Sequence, residues 1–208
     1  LWHQEPSGFF TDRTASFGLN QSVWRGTGFG AVMADFDNDT DLDIAFVNGD
    51  IRASSENPVT GQSKMDPFWM NYAQRNQLFS NKGEGQFNDI SNQNPDFCEE
   101  PNVGRGLAVG DLNNDGKLDM VISSIDAPTK ILYGSNREKN NWIIISATDP
   151  QKGNRFDIGA EVTVTAGNKR WKKWLNPGGS YLSSNDPRLH FGLDDLTKVD
   201  AIEVRWAN

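Results

Sequence analysis

Two short acidic segments of this 208-residue chain place oxygen-bearing side chains at the same spacing. Positions 1, 3, 5 and 9 are Asp35, Asp37, Asp39 and Asp43 in the first segment, and Asp111, Asn113, Asp115 and Asp119 in the second. Alternate side chains of a tight loop can turn their oxygens toward one centre, and oxygen ligands without histidine or cysteine suit Ca²⁺. At position 7 the backbone carbonyl of Asp41 or Lys117 would add another oxygen. The sequence therefore predicts about two calcium ions, one in each loop.

An EF-hand loop begins in the same way, but it needs a bidentate Glu at position 12 and a helix on each side. Position 12 is Phe46 in the first loop and Ile122 in the second, and both lie in β-like apolar runs. The EF-hand is therefore excluded. A solvated acidic turn without an ion would explain one such loop, because Asp and Asn are common in turns. Two matched copies favour metal binding, since crowded carboxylates repel unless a cation compensates them.

The two loops differ at position 6, where a left-handed backbone is usually needed. Gly116 suits that conformation, whereas the β-branched Thr40 tolerates it poorly. The first loop in turn offers four ligand carboxylates, while the second has three and the neutral amide of Asn113. The backbone conformation at position 6 favours calcium binding by the second loop, and the number of ligand carboxylates favours the first. Which loop binds calcium more tightly therefore stays open.

An internal repeat contains these loops. Residues 28–46 align without gaps onto residues 104–122 at an offset of 76, and each copy runs from one apolar strand through the loop into another. Residues 77–90 predict two further strands around a Gly-rich turn. Parts of this segment recur in similar form at residues 10–12 and 132–135. The first unit carries about 22 extra residues within about 51–75. Without them a repeat has about 54 residues, the size of a four-stranded propeller blade.

The repeat pattern, Gly-x-Gly followed by the Asp-x-Asp-x-Asp loop and by Leu-Phe-x-Asn-x-Gly-x-Gly-x-Phe, resembles the FG-GAP/VCBS repeat. The C-terminal part is similar to the ASPIC/UnbV domain. The matching segments are residues 141–142, 158–164, 178–186, 190–193 and 199–206. Both modules together resemble the cartilage acidic protein-like family. The resemblance implies secretion to the cell surface, the periplasm or the extracellular space, calcium binding, and a role in adhesion or protein interaction, with no established enzymatic activity.

We therefore expect an all-β chain with two modules. Residues 1–138 are expected to form a partial FG-GAP-type β-propeller of two to three blades, and residues 139–208 a small module like a β-sandwich or barrel. Closed propellers typically have about four to eight blades. The remaining blades are expected to come from a longer chain, which we favour, or from a partner. The family pattern normally extends beyond Trp206, so the C-terminus is expected to be truncated.

Charge and composition limit the partners. Residues 1–138 hold 20 acidic and 10 basic side chains, whereas residues 139–208 hold 8 acidic and 10 basic ones. An acidic first module argues against nucleic acid and for cations. No apolar run approaches the length of a membrane span. Cys98 is the single cysteine, which excludes an internal disulfide, and it is expected to be a small buried residue.

A basic, tryptophan-containing strand is predicted at residues 169–175. Its candidate ligand-binding side chains are Lys169, Arg170, Trp171, Lys172 and Trp174. Such a strand can stack on sugars or contact anionic polymers, which makes a glycan- or polymer-binding module the alternative function. It can equally be one half of an amphipathic hairpin, with its tryptophans packed inward. The apolar residues 65–72 of the insertion are expected to cap the propeller core or to present a contact surface.

Catalysis has little support in the sequence. The two histidines are His3 and His190, and His190 lies in an apolar strand where a packed side chain is expected. No Gly-x-Ser-x-Gly elbow is present. The leading prediction is a non-catalytic, calcium-binding extracellular module that interacts with other proteins or extracellular glycans. An enzyme on a propeller scaffold is the least favoured alternative.

Overall fold

The computed structural model describes residues 1–53, 65–83, 85–135 and 139–207, and short antiparallel strands dominate it. The helical elements are single turns: α1 (Pro67–Met70), α2 (Pro95–Cys98) and the 3-10 turns Ser91–Gln93 and Pro150–Lys152. Within the described ranges, no helix has the length and apolar character needed to cross a bilayer. The all-β prediction is confirmed.

The first repeat forms a four-stranded sheet preceded by a separate hairpin. The hairpin consists of β1 (Trp2–Gln4) and β2 (Phe10–Asp12). The sheet contains β3 (Gly28–Ala34), β4 (Asp43–Asn48), β5 (Gln77–Asn81) and β6 (Phe87–Asp89), paired in sequence order. The first acidic loop connects β3 to β4, as the repeat predicts.

The second repeat forms a sheet of three strands, β7 (Val103–Gly110), β8 (Asp119–Ile125) and β9 (Ala127–Leu132). In it Leu132 lies opposite Met120, just as Phe79 lies opposite Ile44 in the first sheet. The structural equivalence is therefore one residue away from the alignment of Leu132 with Leu78 that the sequence suggests. The hydrogen bond from the Asn81 amide to Asp43 spans 38 residues, and the equivalent bond from the Gly134 amide to Asp119 spans 15. The insertion in the first repeat is therefore 23 residues long rather than about 22.

The two sheets pack face to face around an apolar core. Valines, leucines and alanines of β3, β4 and β5 contact Leu107, Met120 and Ile122 of the second sheet. Cys98 is fully buried in this core, as predicted, and burial raises the pKa of its thiol to about 12. A Cβ on Gly30 would lie 2.7 Å from the Leu107 amide nitrogen, so only glycine permits this approach of β3 to β7.

The C-terminal part of the insertion packs on the second sheet. Residues 54–64 of the expected insertion lie outside the described residues. Met65 and Ala73 are buried against Val103, and Trp69 and Tyr72 pack around them. This part of the insertion therefore covers the beginning of β7.

The C-terminal module consists of small sheets around its own core. Its strands are β10 (Asn141–Ile145), β11 (Thr148–Asp149), β12 (Arg155–Phe156), β13 (Glu161–Ala166), β14 (Lys169–Trp174), β15 (Leu189–Asp194) and β16 (Ala201–Arg205). Strand β10 pairs with β15, β11 pairs with β12, and β13 lies between β14 and β16. Phe191 of β15 and Val162 and Val164 of β13 share one buried cluster, so two sheets pack together like a sandwich.

Candidate metal centre

The first acidic loop brings three predicted ligands together. One carboxylate oxygen from each of Asp35, Asp37 and Asp39 lies within 4.8 Å of the others. Asp35 is 2% exposed; its Oδ2 accepts a bond from the Thr40 amide at 3.1 Å, while its Oδ1 has no hydrogen-bond partner. A buried carboxylate oxygen without a partner is costly, and a hard cation would satisfy it. These residues fit a calcium ion.

Burial makes the charged form of this loop unfavourable without a cation. Burial, with the nearby charge of Asp39, raises the pKa of Asp35 to about 7, although Lys173 opposes the shift. Burial also raises the pKa of Asp43 to about 7, against hydrogen bonds from two backbone amides. Asp35 and Asp43 are therefore held where burial disfavours their charged forms, and Lys173 offsets this only in part at Asp35.

The aspartate at position 9 binds each loop to the end of the third strand of its sheet or to the residues just after that strand. Asp43 accepts bonds from the amides of Phe36 at 3.2 Å and Asn81 at 2.8 Å. Asp119 accepts two equivalent bonds, each 2.8 Å long, from the amides of Leu112 and Gly134. A carboxylate has about four lone-pair sites, so each aspartate keeps the capacity to bind an ion as well.

The side chains of the second loop satisfy one another more completely. Asp111 accepts bonds from the amides of Asp115 at 3.1 Å and Gly116 at 2.8 Å, and Asn113 donates to Asp115 at 3.1 Å. In the part of the chain that the structure describes, the convergence of three acidic side chains within 4.8 Å is found in the first loop alone. The roles of the Asp41 and Lys117 carbonyls stay predictions.

Both loops adopt the left-handed conformation at position 6. The φ angle is +83° at Thr40 and +84° at Gly116. A residue with a Cβ loses about 1–2 kcal/mol in that region, and β-branching makes it less favourable. The first loop therefore keeps the shared geometry at the expense of backbone strain.

Replacing Thr40 with glycine should relieve that strain. We expect Thr40→Gly to raise the free energy of unfolding by about 0.5–1 kcal/mol. The gain is smaller than the relieved strain, because glycine also increases the entropy of the unfolded chain. Urea unfolding at saturating calcium measures the change. Thr27→Gly, at a position without positive φ, is the control and should destabilise. Equal destabilisation by both substitutions would contradict the strain.

Position 4 of each loop holds an asparagine that the metal-ligand pattern does not single out. Asn38 and Asn114 have φ angles of +63° and +59°. Asn38 is 2% exposed; its side-chain amide donates to the Gly116 carbonyl at 3.1 Å, and its backbone carbonyl accepts from the Asp194 amide at 2.9 Å. The identity of position 4 in both repeats, together with the tolerance of asparagine for positive φ, is the signal that could have found it.

The second loop is held by the C-terminal module through Arg188. Its guanidinium donates to the Asn114 side chain at 2.6 Å and to the Asp111 carbonyl at 2.5 Å. Asp186 accepts from the same guanidinium, with an Nε–Oδ2 distance of 2.8 Å, and orients it. The second loop therefore contacts the C-terminal module on one side, while residues 112–115 stay exposed to solvent.

His190 completes this contact. Its Nε2 lies 2.9 Å from the Gly116 carbonyl, which can only accept, so Nε2 carries the proton. Burial lowers the pKa of His190, and the ring stacks on Trp142 at a centroid distance of 6.4 Å. His190 is 7% exposed, as expected for a packed histidine. We call the contact of the two acidic loops with Trp142, Arg188, His190 and Asp194 the loop–module seam.

The basic strand β14 is largely paired within the fold. Lys169, Arg170 and Lys172 form ion pairs with Asp194, Glu203 and Glu161 at 3.7, 3.0 and 3.0 Å. Trp171 packs on the module core, whereas Trp174 remains 56% exposed. These contacts match the amphipathic hairpin and give the polymer-binding alternative no specific support.

Comparison with known proteins agrees with this arrangement. Residues 59–122 match a family described as FG-GAP-like repeat, and residues 150–208 match ASPIC and UnbV. The chain is 30% identical to cartilage acidic protein 1 of Xenopus tropicalis over 184 residues, which cover 84% of this chain and 25% of that protein. It is 27% identical to the Mus musculus protein over 250 residues, covering 99% of this chain and 37% of that protein. The chain thus spans about a quarter to two fifths of these relatives.

Proposed function

Because this chain joins FG-GAP-like repeats to an ASPIC and UnbV module and is related to cartilage acidic protein 1, we propose that it is a calcium-binding structural or interaction module without catalytic activity. We place it outside the cell or in the periplasm, with other proteins or extracellular glycans as partners. The observation that carries the proposal is Asp35, which has a buried, unpartnered oxygen and whose carboxylate lies close to two further carboxylates.

The first loop provides the main support for calcium. Asp35, Asp37 and Asp39 would hold the ion, with Asp43 and the Asp41 carbonyl completing the shell. The positive charge of the ion would offset the free-energy cost of burying these ionised carboxylates. In the second loop, Asp111, Asn113, Asp115 and Asp119, with the Lys117 carbonyl, would hold a second ion.

Calcium would act as a structural element in this proposal. The two loops contact the C-terminal module through three residues between the ligand positions: the backbone carbonyl of Asn38, the side chain of Asn114 and the carbonyl of Gly116. An ion that fixes the ligands also fixes these residues, because each of them is the direct neighbour of a ligand in the chain. The propeller blades and the C-terminal module would then present one rigid surface to a partner.

Calcium titration tests the proposal. Extracellular calcium modules often bind with dissociation constants of about 10⁻⁴–10⁻³ M, and an ion at 100 times its dissociation constant stabilises by about 2.7 kcal/mol. We expect millimolar calcium to raise the Tm of the chelator-treated protein, and isothermal titration to show saturable binding. Unchanged Tm and no binding heat up to 10 mM calcium (about 10 times the weaker constant) would overturn the proposal.

Asp35→Asn should remove most of the stabilisation that comes from the first loop. The substitution keeps the size of the side chain but deletes the charge of the most buried ligand. Asp195→Asn, at an exposed position of the C-terminal module, is the matched control and should keep the full calcium effect. If both variants respond to calcium like the parent chain, the first loop is not the site.

A further inference from the structure

The N-terminal hairpin repeats the outer strand pair of the first sheet. In β1–β2, Trp2 lies opposite Asp12 and Gln4 opposite Phe10. In β5–β6, Phe79 lies opposite Asp89 and Asn81 opposite Phe87. Each residue of the first hairpin corresponds to the residue 77 positions later in the second. The two hairpins therefore have the same register, although few of their residues are identical.

The hydrogen bonds around the two hairpins correspond at the same offset. The Arg13 amide donates to the Leu1 carbonyl at 2.9 Å, as the Ile90 amide does to the Leu78 carbonyl at 2.9 Å. The bond from Glu5 to Phe9 matches that from Lys82 to Gln86, and both are 2.8 Å long. The bond of the Thr14 amide to the Asp12 carboxylate matches that of Ser91 to Asp89, and both are 2.9 Å long. Gly8 and Gly85 both have positive φ, at +88° and +74°.

The neighbours of the two hairpins differ. Strand β5 pairs with β4 on one side and β6 on the other, whereas β1 belongs to a sheet of two strands. Phe79 and Phe87 are 2% and 6% exposed, but the equivalent Trp2 and Phe10 are 69% and 61% exposed. A free strand edge beside large exposed apolar side chains is a template for a further strand.

A cavity of about 670 Å³ lies beside this hairpin. Leu1 and Thr14 line it on the hairpin side, Met33 and Phe46 on the face of the first sheet, and Asn185 on the side of the C-terminal module. It therefore extends from the hairpin along the face of the first sheet. In the first sheet, the inner strands β3 and β4 occupy the corresponding place beside β5.

We propose that β1–β2 is the outer half of a further blade, and that the free edge of β1 and this cavity bind an inner strand pair of the type formed by β3 and β4. The occupant is an antiparallel pair whose connecting loop ends in a carboxylate. In both repeats that carboxylate accepts from a backbone amide at the end of the third strand (Asn81) or two residues beyond it (Gly134). The Gln4 amide is the equivalent donor in the hairpin. The proposal rests on strand geometry and does not depend on calcium binding.

The test supplies such a pair within one chain. A copy of residues 103–130 is joined in front of Leu1, because Leu132 corresponds to Trp2 and the connection between β8 and β9 carries no insertion. Hydrogen exchange of residues 1–14 is compared between the parent chain, this fusion and a fusion with the same 28 residues in scrambled order. We expect exchange at Trp2–Gln4 to slow by about tenfold or more in the native-order fusion alone.

A second format decides the result if the fusion does not fold. A peptide of residues 25–49, which contains β3, the first acidic loop and β4, is titrated into the parent chain. Saturable slowing of exchange at residues 1–14 supports the proposal. Exchange that is equal in the native-order fusion, the scrambled fusion and the parent chain overturns it. If the fusion does not fold, unchanged hydrogen exchange at residues 1–14 up to millimolar peptide likewise overturns the proposal.

Discussion

Replacing Gly116 with alanine is expected to lower the free energy of unfolding by about 2–4 kcal/mol. A Cβ at this position would lie 1.7 Å from Cε2 and 1.9 Å from Nε1 of Trp142, and the φ angle is +84°. The indole cannot retreat without leaving the His190 ring, on which it stacks. The substitution should therefore open the loop–module seam. Urea unfolding measures the loss, and limited proteolysis should show faster cleavage between the modules.

Gly153→Ala separates backbone strain from the steric clash. Gly153 also has a positive φ angle, +69°, but a Cβ there would meet nothing within 4 Å. This variant should lose only about 1 kcal/mol, the cost of the left-handed conformation. Equal losses in the two variants would show that Trp142 does not pack tightly against the second loop.

The calcium-free protein should become less stable as the pH rises from about 4 to about 7. In the folded chain the pKa values of Asp35 and Asp43 are raised to about 7, from an ordinary value of 3.8. The folded state then binds more protons than the unfolded state within this window, so its stability falls as the pH rises. The loss is absent below the unfolded pKa and complete above the folded one. Between pH 5 and pH 8 it should be on the order of 2 kcal/mol for each carboxyl.

Chemical denaturation in chelator at pH 5 and pH 8 measures this loss. The Asp35→Asn variant should show about half of the loss that Asp35 and Asp43 cause, because Asp43 still titrates. Burial and the charge of Asp39 also raise the pKa of Asp41, which acts in both proteins alike. Carboxyls with lowered pKa values, such as Asp12 and Glu161, act at lower pH and should affect both proteins alike. Saturating calcium should abolish the loss that the two aspartates cause. The smaller, opposite contribution of His190 should remain, because its lowered pKa favours the folded state as the pH rises. A parent chain that is equally stable at both pH values would contradict the buried, uncompensated charge.

The sequence predicts the local architecture of the loops well. Matched spacing at Asp35 and Asp111 identifies two turns between apolar strands, and the structure shows both turns between paired strands. Gly116 indicates the left-handed position 6, and Thr40 adopts nearly the same φ angle despite its Cβ. Local spacing carries this information because a turn of nine residues is defined by its own backbone bonds.

The loop–module seam is not predictable in this way. Arg188 reaches Asn114 across 74 residues, and His190 reaches Gly116 across the same separation. No periodicity links such positions, because the contacts depend on how the loops and the C-terminal module pack against each other. The register of β9 against β8 is another such case. The resemblance of Leu132-Tyr133 to Leu78-Phe79 suggests a pairing one residue away from that fixed by the Asp119 carboxylate.

The carbonyl of Gly116 receives hydrogen bonds from Asn38 of the first loop and His190 of the C-terminal module. A carbonyl oxygen has two lone pairs, so both are engaged. Under the proposed function, an ion that orders the first loop also fixes Asn38, and with it the acceptor at the centre of the second loop. Part of the conformational entropy that the second ion must remove has then already been lost. The two affinities are linked, and by reciprocity each ion strengthens the other by the same factor.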